Sequence, residues 1–132
     1  MTIIHPKQKY SNASKLLGMK ITSSDRQNGV IKANFIANDD FKNFAGNVQG
    51  GILVAMLDDL MGYALGITFS PPRFAPTANL NVSFINPAQV GILEGKGEIL
   101  KQEGDIYHLA AKLYDQNAIL IASATSKAKL LS

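Results

Sequence analysis

Residues 50–67 read Gly-Gly-Ile-Leu-Val-Ala-Met-Leu-Asp-Asp-Leu-Met-Gly-Tyr-Ala-Leu-Gly-Ile, and Ser70-Pro71-Pro72 follows shortly after. Leu, Ala and Met dominate this stretch, no proline interrupts it, and the prolines beyond cannot continue a helix, so it predicts one long helix. Its apolar residues, Ile52, Leu53, Val54, Ala55, Met56, Leu57, Leu60 and Met61, cover nearly every direction around the axis. A helix apolar all round is normally buried on most sides. The rest of the chain therefore has to wrap it.

The material for wrapping is present. Residues 29–36 alternate, with Ile31, Ala33 and Phe35 on one face and Lys32 and Asn34 on the other, the period of a half-buried strand. Residues 79–84 set Leu80, Val82 and Phe84 against Asn79, Asn81 and Ser83. Further on, Leu93, Gly95, Gly97 and Ile99 oppose Glu94, Lys96 and Glu98, and Tyr107, Leu109, Ala111 and Leu113 oppose His108 and Lys112. Residues 118–125 are continuously apolar or small, the pattern of a strand covered on both faces or lying at a subunit contact. Short polar turns around Gly104 and Asn117 suit antiparallel hairpins. Gly95 and Gly97, on an inward face, predict close approach of the helix, and residues 11–19 suggest a short flanking helix. The expectation is an α+β fold, an antiparallel sheet around one helix, in a single domain spanning residues 1–132.

Composition narrows the function. With 46% apolar and 17% charged residues, the 132-residue chain can fill one core. It has no cysteine, which removes disulfides, thiolate metal sites and cysteine nucleophiles. Two histidines are too few for a plausible metal site or a serine–histidine triad, so neither metal nor cofactor is expected. The net charge of +3 comes from scattered lysines without a basic run, which argues against nucleic acid. Asp58 and Asp59 interrupt the best apolar run before it reaches the length of a membrane span. The start of the chain lacks the basic and apolar regions of a secretory signal, so the expected compartment is cytoplasmic.

Asp58 and Asp59 lie mid-helix among Leu57, Leu60 and Met61, where an unpaired buried carboxylate is costly. Either they meet a solvated notch or a lysine partner, or one of them has a function and the other a structural role. Upstream, Asn47-Val48-Gln49-Gly50-Gly51 runs into the helix start, where backbone N–H groups lack intrahelical acceptors and lie at the positive dipole end. The Gly50 amide is thus a candidate to polarise a carbonyl, and Gly51 lets a ligand approach closely. Eight residues of helix separate Gly50 from Asp58 by about 12 Å. To act on one carbonyl, the two must come from different copies of the helix at a two-fold interface.

The residues Asn43-Phe44-Ala45-Gly46-Asn47-Val48-Gln49-Gly50-Gly51, then Asp58, then Thr77 through Pro87 and Gly91, resemble the hotdog-fold thioesterases of the phenylacetate-degradation (PaaI-like) type. The resemblance implies a five- or six-stranded antiparallel sheet around a long helix, with dimers commonly paired into homotetramers. It implies hydrolysis of acyl-CoA, with Asp58 as the catalytic carboxylate and Gly50 as the carbonyl-polarising amide. Asn43 would help hold thioester or water, and Thr77 would position the water. Asp58 and Thr77 would come from one subunit, Asn43 and Gly50 from the other. Gln49 departs from the histidine usual at its position; it keeps a donor and an acceptor but cannot become charged. Asp59 has no counterpart role.

Gln49, Gly51 and Asn79 are further candidates for substrate contact. Lys101, Lys127 and Lys129 are candidates for the phosphates of coenzyme A, ordinary solvated lysines being the plainer reading. Tyr63, Phe69 and Phe74 are candidates to line the acyl pocket. The rival from another class is a non-catalytic acyl-CoA-binding or ligand-sensing hotdog protein, with Gln49 marking lost catalysis. A hotdog hydratase needs a histidine beside an acid, and His5 and His108 are poorly placed for that.

Overall fold

The computed structural model describes residues 10–130. The long helix, α2 (Gly50–Gly66), follows a short α1 (Asn12–Leu16), strands β1 (Lys20–Asp25) and β2 (Val30–Ala37), and a 3-10 turn at Asp39–Phe41. Beyond it come β3 (Thr77–Phe84), β4 (Gly91–Glu103), β5 (Ile106–Tyr114) and β6 (Leu120–Lys129). All six strands form one antiparallel sheet in the order β1-β2-β4-β5-β6-β3. Among the described residues, no helix is long and apolar enough to cross a membrane.

The sheet wraps α2, and the alternation in the sequence decides which side chains meet it. Ile31, Ala33 and Phe35 from β2, Leu93 from β4, and Leu109, Ala111 and Leu113 from β5 are buried with Met56, Leu57, Leu60 and Met61 of α2. Gly97 lies so close to the helix that a Cβ there would overlap the backbone carbonyl of Leu60, and one at Gly95 would strike the Leu60 side chain. These two positions on β4 let the sheet close down on the helix.

Two expectations change, and one strand was not anticipated. Strand β1 carries no clean alternation in sequence; it exists because Ile21 joins the core while Tyr10 Oη accepts a hydrogen bond from the Ile21 amide. The run over 118–125 begins as a turn, since Asp115 Oδ1 accepts from the amides of Asn117 and Ile119 and Ala118 has φ 62°. The strand starts at Leu120 and reaches Lys129, and only Ile121 and Ala122 are covered on both faces, with Thr125 and Lys127 exposed. Finally, β3 is an edge strand: Leu80 and Val82 are half-buried and Phe84 is exposed. Alternation marks which face is inward but does not say whether anything covers it.

One stripe of α2 remains open. Gly51 and Gly62 are exposed and Ala55, Asp58 and Asp59 half-buried, while a Cβ at Gly51 or Gly62 would meet nothing within 4 Å. Both carboxylates lie along this stripe, each half-buried.

Candidate functional site

The loop before α2 is tied by its own polar groups. Asn43 Oδ1 accepts from the amides of Ala45 (2.9 Å) and Asn47 (3.1 Å), and the Asn43 amide donates to Asn47 O at 2.7 Å. Gly46 takes φ 83°, a conformation favouring glycine. Asn43 thus spends its carbonyl oxygen on the loop, which leaves its Nδ2 amide as the group it can offer a ligand.

Gln49 is the N-cap of α2, with its side chain exposed and making no capping bond. Its carbonyl accepts from Ile52 and Leu53, whereas the amides of Gly50 and Gly51 have no acceptor among the described residues. Gly50 lies in a surface hollow of about 320 Å³ with Asn43, Asn47, Phe84 and Asn86. The Gly50 N–H in this hollow lies unmatched at the positive end of a helix.

Two turns along the open stripe, Asp58 Oδ1 accepts a 2.7 Å hydrogen bond from Thr77 Oγ1. Thr77 opens β3, and the register shift between Thr77 and Asn79 sends their side chains to opposite faces: Thr77 pairs with buried Ala128, Asn79 with exposed Lys127. Asp58 and Thr77 line a cavity of about 430 Å³, with Asp59, Tyr63, Arg73 and Phe74 also on its wall. Phe69 is not among its lining residues; it packs edge-on against Tyr107, with the Arg73 guanidinium 5.3 Å above its ring. The Asp58 cavity and the Gly50 hollow share no lining residue.

Asp59 has a structural partner that the sequence did not suggest. Ser14 Oγ donates to Asp59 Oδ2 at 2.7 Å, and Ser14 is fully buried. Tyr63 Oη donates to Ser14 Oγ at 3.1 Å and accepts from the Ser11 amide at 3.0 Å. Burial pushes the Asp59 carboxyl above its ordinary value, the Ser14 hydrogen bond offsets part of this, and the charge of Asp58 adds to the rise. A local signal existed in the four-residue spacing of Asp59 and Tyr63, which puts them on one helix face.

The remaining candidates lie elsewhere. Asn79, Lys101 and Lys127 share a second hollow with His108 on the outer face of the sheet, away from Asp58. There Glu103 pairs with Lys101 (3.3 Å) and His108 (2.7 Å), and these two neighbours, Lys101 foremost, hold its carboxyl below the usual range. Lys129 ends β6. Gly51 is on the open stripe beside Gly50. Among the described residues, no group of three or more His, Cys, Asp or Glu stands where it could hold a metal ion.

The sequence pattern of the thioesterase superfamily matches residues 45–122. A phenylacetic acid degradation-related protein from Ralstonia eutropha JMP134 is 31% identical, with a TM-score of 0.87 over 95% of this chain and 94% of its own. The Escherichia coli PaaI protein from the phenylacetic acid degradation operon is 19% identical, with a TM-score of 0.84 over 92% of this chain and 86% of its own. A Streptococcus mutans UA159 protein solved with acetyl CoA is 16% identical, with a TM-score of 0.79 over 98% of this chain and 96% of its own. No curated protein matches the sequence.

Proposed function

The chain belongs to the thioesterase superfamily, with the PaaI-like hotdog fold, and from that premise we propose that it hydrolyses acyl-CoA to a free acid and coenzyme A at a site built by two copies of the chain. The observation that carries this reading is the distribution of chemistry along α2. Amides without acceptors stand at its start, and a carboxylate hydrogen-bonded by Thr77 stands two turns on, in a separate cavity. A neutral thioester carbonyl polarised by an N–H and attacked from the carboxylate side needs both.

In this reading the carbonyl oxygen docks on the Gly50 N–H of one subunit, with Asn43 Nδ2 nearby. Asp58 of the other subunit either attacks the carbonyl carbon or takes a proton from water held with Thr77. The tetrahedral intermediate then collapses with cleavage of the C–S bond, and the thiolate leaves, taking the proton that Asp58 removed from water in the general-base route or one from solvent after direct attack. Direct attack forms an anhydride, and labelled water that opens it at the Asp58 carbonyl leaves label in the enzyme carboxylate; the general-base route leaves it unlabelled. Gln49 and Gly51 border the same helix start and are proposed to contact substrate, and dimers are proposed to pair into tetramers. Relatives bearing coenzyme A support this ligand class.

The test is complementation. Asp58→Asn should lower kcat by about 10² to 10⁴-fold. Gly50→Pro removes the amide while suiting the fold: proline is tolerated at the first helical position, and Gln49 already has the extended φ −57°, ψ 136° that a residue before proline requires. An equimolar mixture of the two variants should recover about a quarter of wild-type activity, because half the dimers are mixed and each has one intact site. Mixed dimers that stay inactive would overturn the shared site. The unusual Gln49 favours a second reading, an acyl-CoA-binding protein without turnover, and binding of acyl-CoA by the wild type with no thiol released would select it.

A further inference from the structure

We propose that Asp59 is a specificity-determining residue that turns away acyl groups bearing a carboxylate and admits neutral ones. This rests on the reading of Asp58 as the reacting carboxylate. Asp59, Gly62, Tyr63 and Gly66 recur at positions i, i+3, i+4 and i+7 of α2, and all four line the Asp58 cavity. That spacing places them in one stripe. An acyl group entering from the Asp58–Thr77 end and running along the helix passes Asp59 at its first step.

Asp59 cannot swing aside to let an anion pass. Its Oδ2 is held by fully buried Ser14, which is held in turn by Tyr63 Oη and lies 2.8 Å from Ser11 Oγ. Ser11 is the N-cap of α1, so the carboxylate is fastened to a second helix. Tyr63 packs against Tyr10, ring centroids 5.9 Å apart, which fixes the hydroxyl that completes the chain. A second carboxylate inside this cavity would face both Asp58 and Asp59. The cation on the wall, Arg73, is exposed and stacks over Phe69. Partial burial of Asp59 lowers the local screening and so strengthens the repulsion when the group is charged. The same charge hastens departure of the product, which leaves as an anion.

The experiment compares butyryl-CoA with succinyl-CoA, acyl groups of equal chain length that differ in a terminal carboxylate. The wild type should prefer butyryl-CoA by kcat/KM. Asp59→Asn retains an acceptor for Ser14 and removes the charge, and should reduce that preference by about tenfold, the effect of one nearby like charge in a partly screened site. A merely structural role for Asp59 would lower both substrates together and leave the ratio unchanged, which would overturn the proposal. So would a wild type that treats the two esters alike, a result that needs no variant. A wild type that hydrolyses neither ester, nor any other acyl-CoA, would instead defeat the hydrolase reading on which this rests.

Discussion

Thr77 Oγ1 donates to Asp58 Oδ1 across 2.7 Å, joining the first residue of an edge strand to the middle of the central helix. A hydrogen bond to a charged acceptor contributes about 1.5–3 kcal/mol. If it orients the reacting carboxylate, Thr77→Ala should lower kcat by about 10 to 100-fold. Thr77→Ser keeps the hydroxyl and should recover most of the rate, whereas Thr77→Val keeps the shape and should not. Steady-state kinetics of the three variants, with KM followed separately, checks this. Equal rates for Ser and Val would remove the hydroxyl from the argument.

Lys101 and Lys127 stand in cross-strand line with His108 on the outer face of the sheet, and Lys101 is already engaged by Glu103. If this face receives the phosphate end of coenzyme A, replacing both lysines by alanine should raise KM by about three- to tenfold at low salt and less at high salt, where screening weakens such contacts. A truncated thioester lacking the phosphates should show no such change. An unaltered KM for the coenzyme A ester would identify the pair as solvated surface charges.

Much of this architecture was legible because it is periodic. Ile31 to Phe35, Leu93 to Ile99 and Tyr107 to Leu113 each announce an inward face, and the all-apolar α2 requires a sheet around it. What escaped depends on long separations or on a single irregular residue. Ser14 and Asp59 are 45 residues apart, and neither sequence neighbourhood mentions the other. The register shift after Thr77 reverses the side chain that strict alternation would place beside Asn79. Asn43 was visible as a candidate ligand-binding side chain, but not as the residue that ties its own loop, because a hydrogen bond to the amide four residues later depends on the turn already formed.

A glycine of the wrapping sheet and one on the open stripe should behave oppositely. Gly97→Ala would drive a methyl into the carbonyl of Leu60, backbone that cannot rotate away, and should destabilise the protein by at least about 1–3 kcal/mol. Gly62→Ala meets nothing within 4 Å and gains helix propensity, so it should stabilise by about 0.5–1 kcal/mol. Urea titration at one fixed protein concentration measures both. A Gly97→Ala protein as stable as wild type would mean that β4 lies farther from α2 than the packing requires.

Asp59 also makes a statement about stability and pH. Burial, the leading cause, raises its carboxyl above the ordinary 3.8, so between 3.8 and that higher value the native state retains a proton that the unfolded chain has lost. Stability then falls as pH rises through this window, and the deficit persists above it. Asp59→Asn abolishes the titration while keeping an acceptor for Ser14. The variant should therefore gain on the wild type as pH is raised from about 4 to about 7, and lose that advantage as pH returns towards 4. Urea midpoints at matched concentrations across this range give the comparison, with concentration held constant because any self-association stabilises by mass action. A stability difference that does not change with pH would mean that Asp59 has the same proton affinity folded and unfolded, and hence that its place beside Ser14 costs it no hydration.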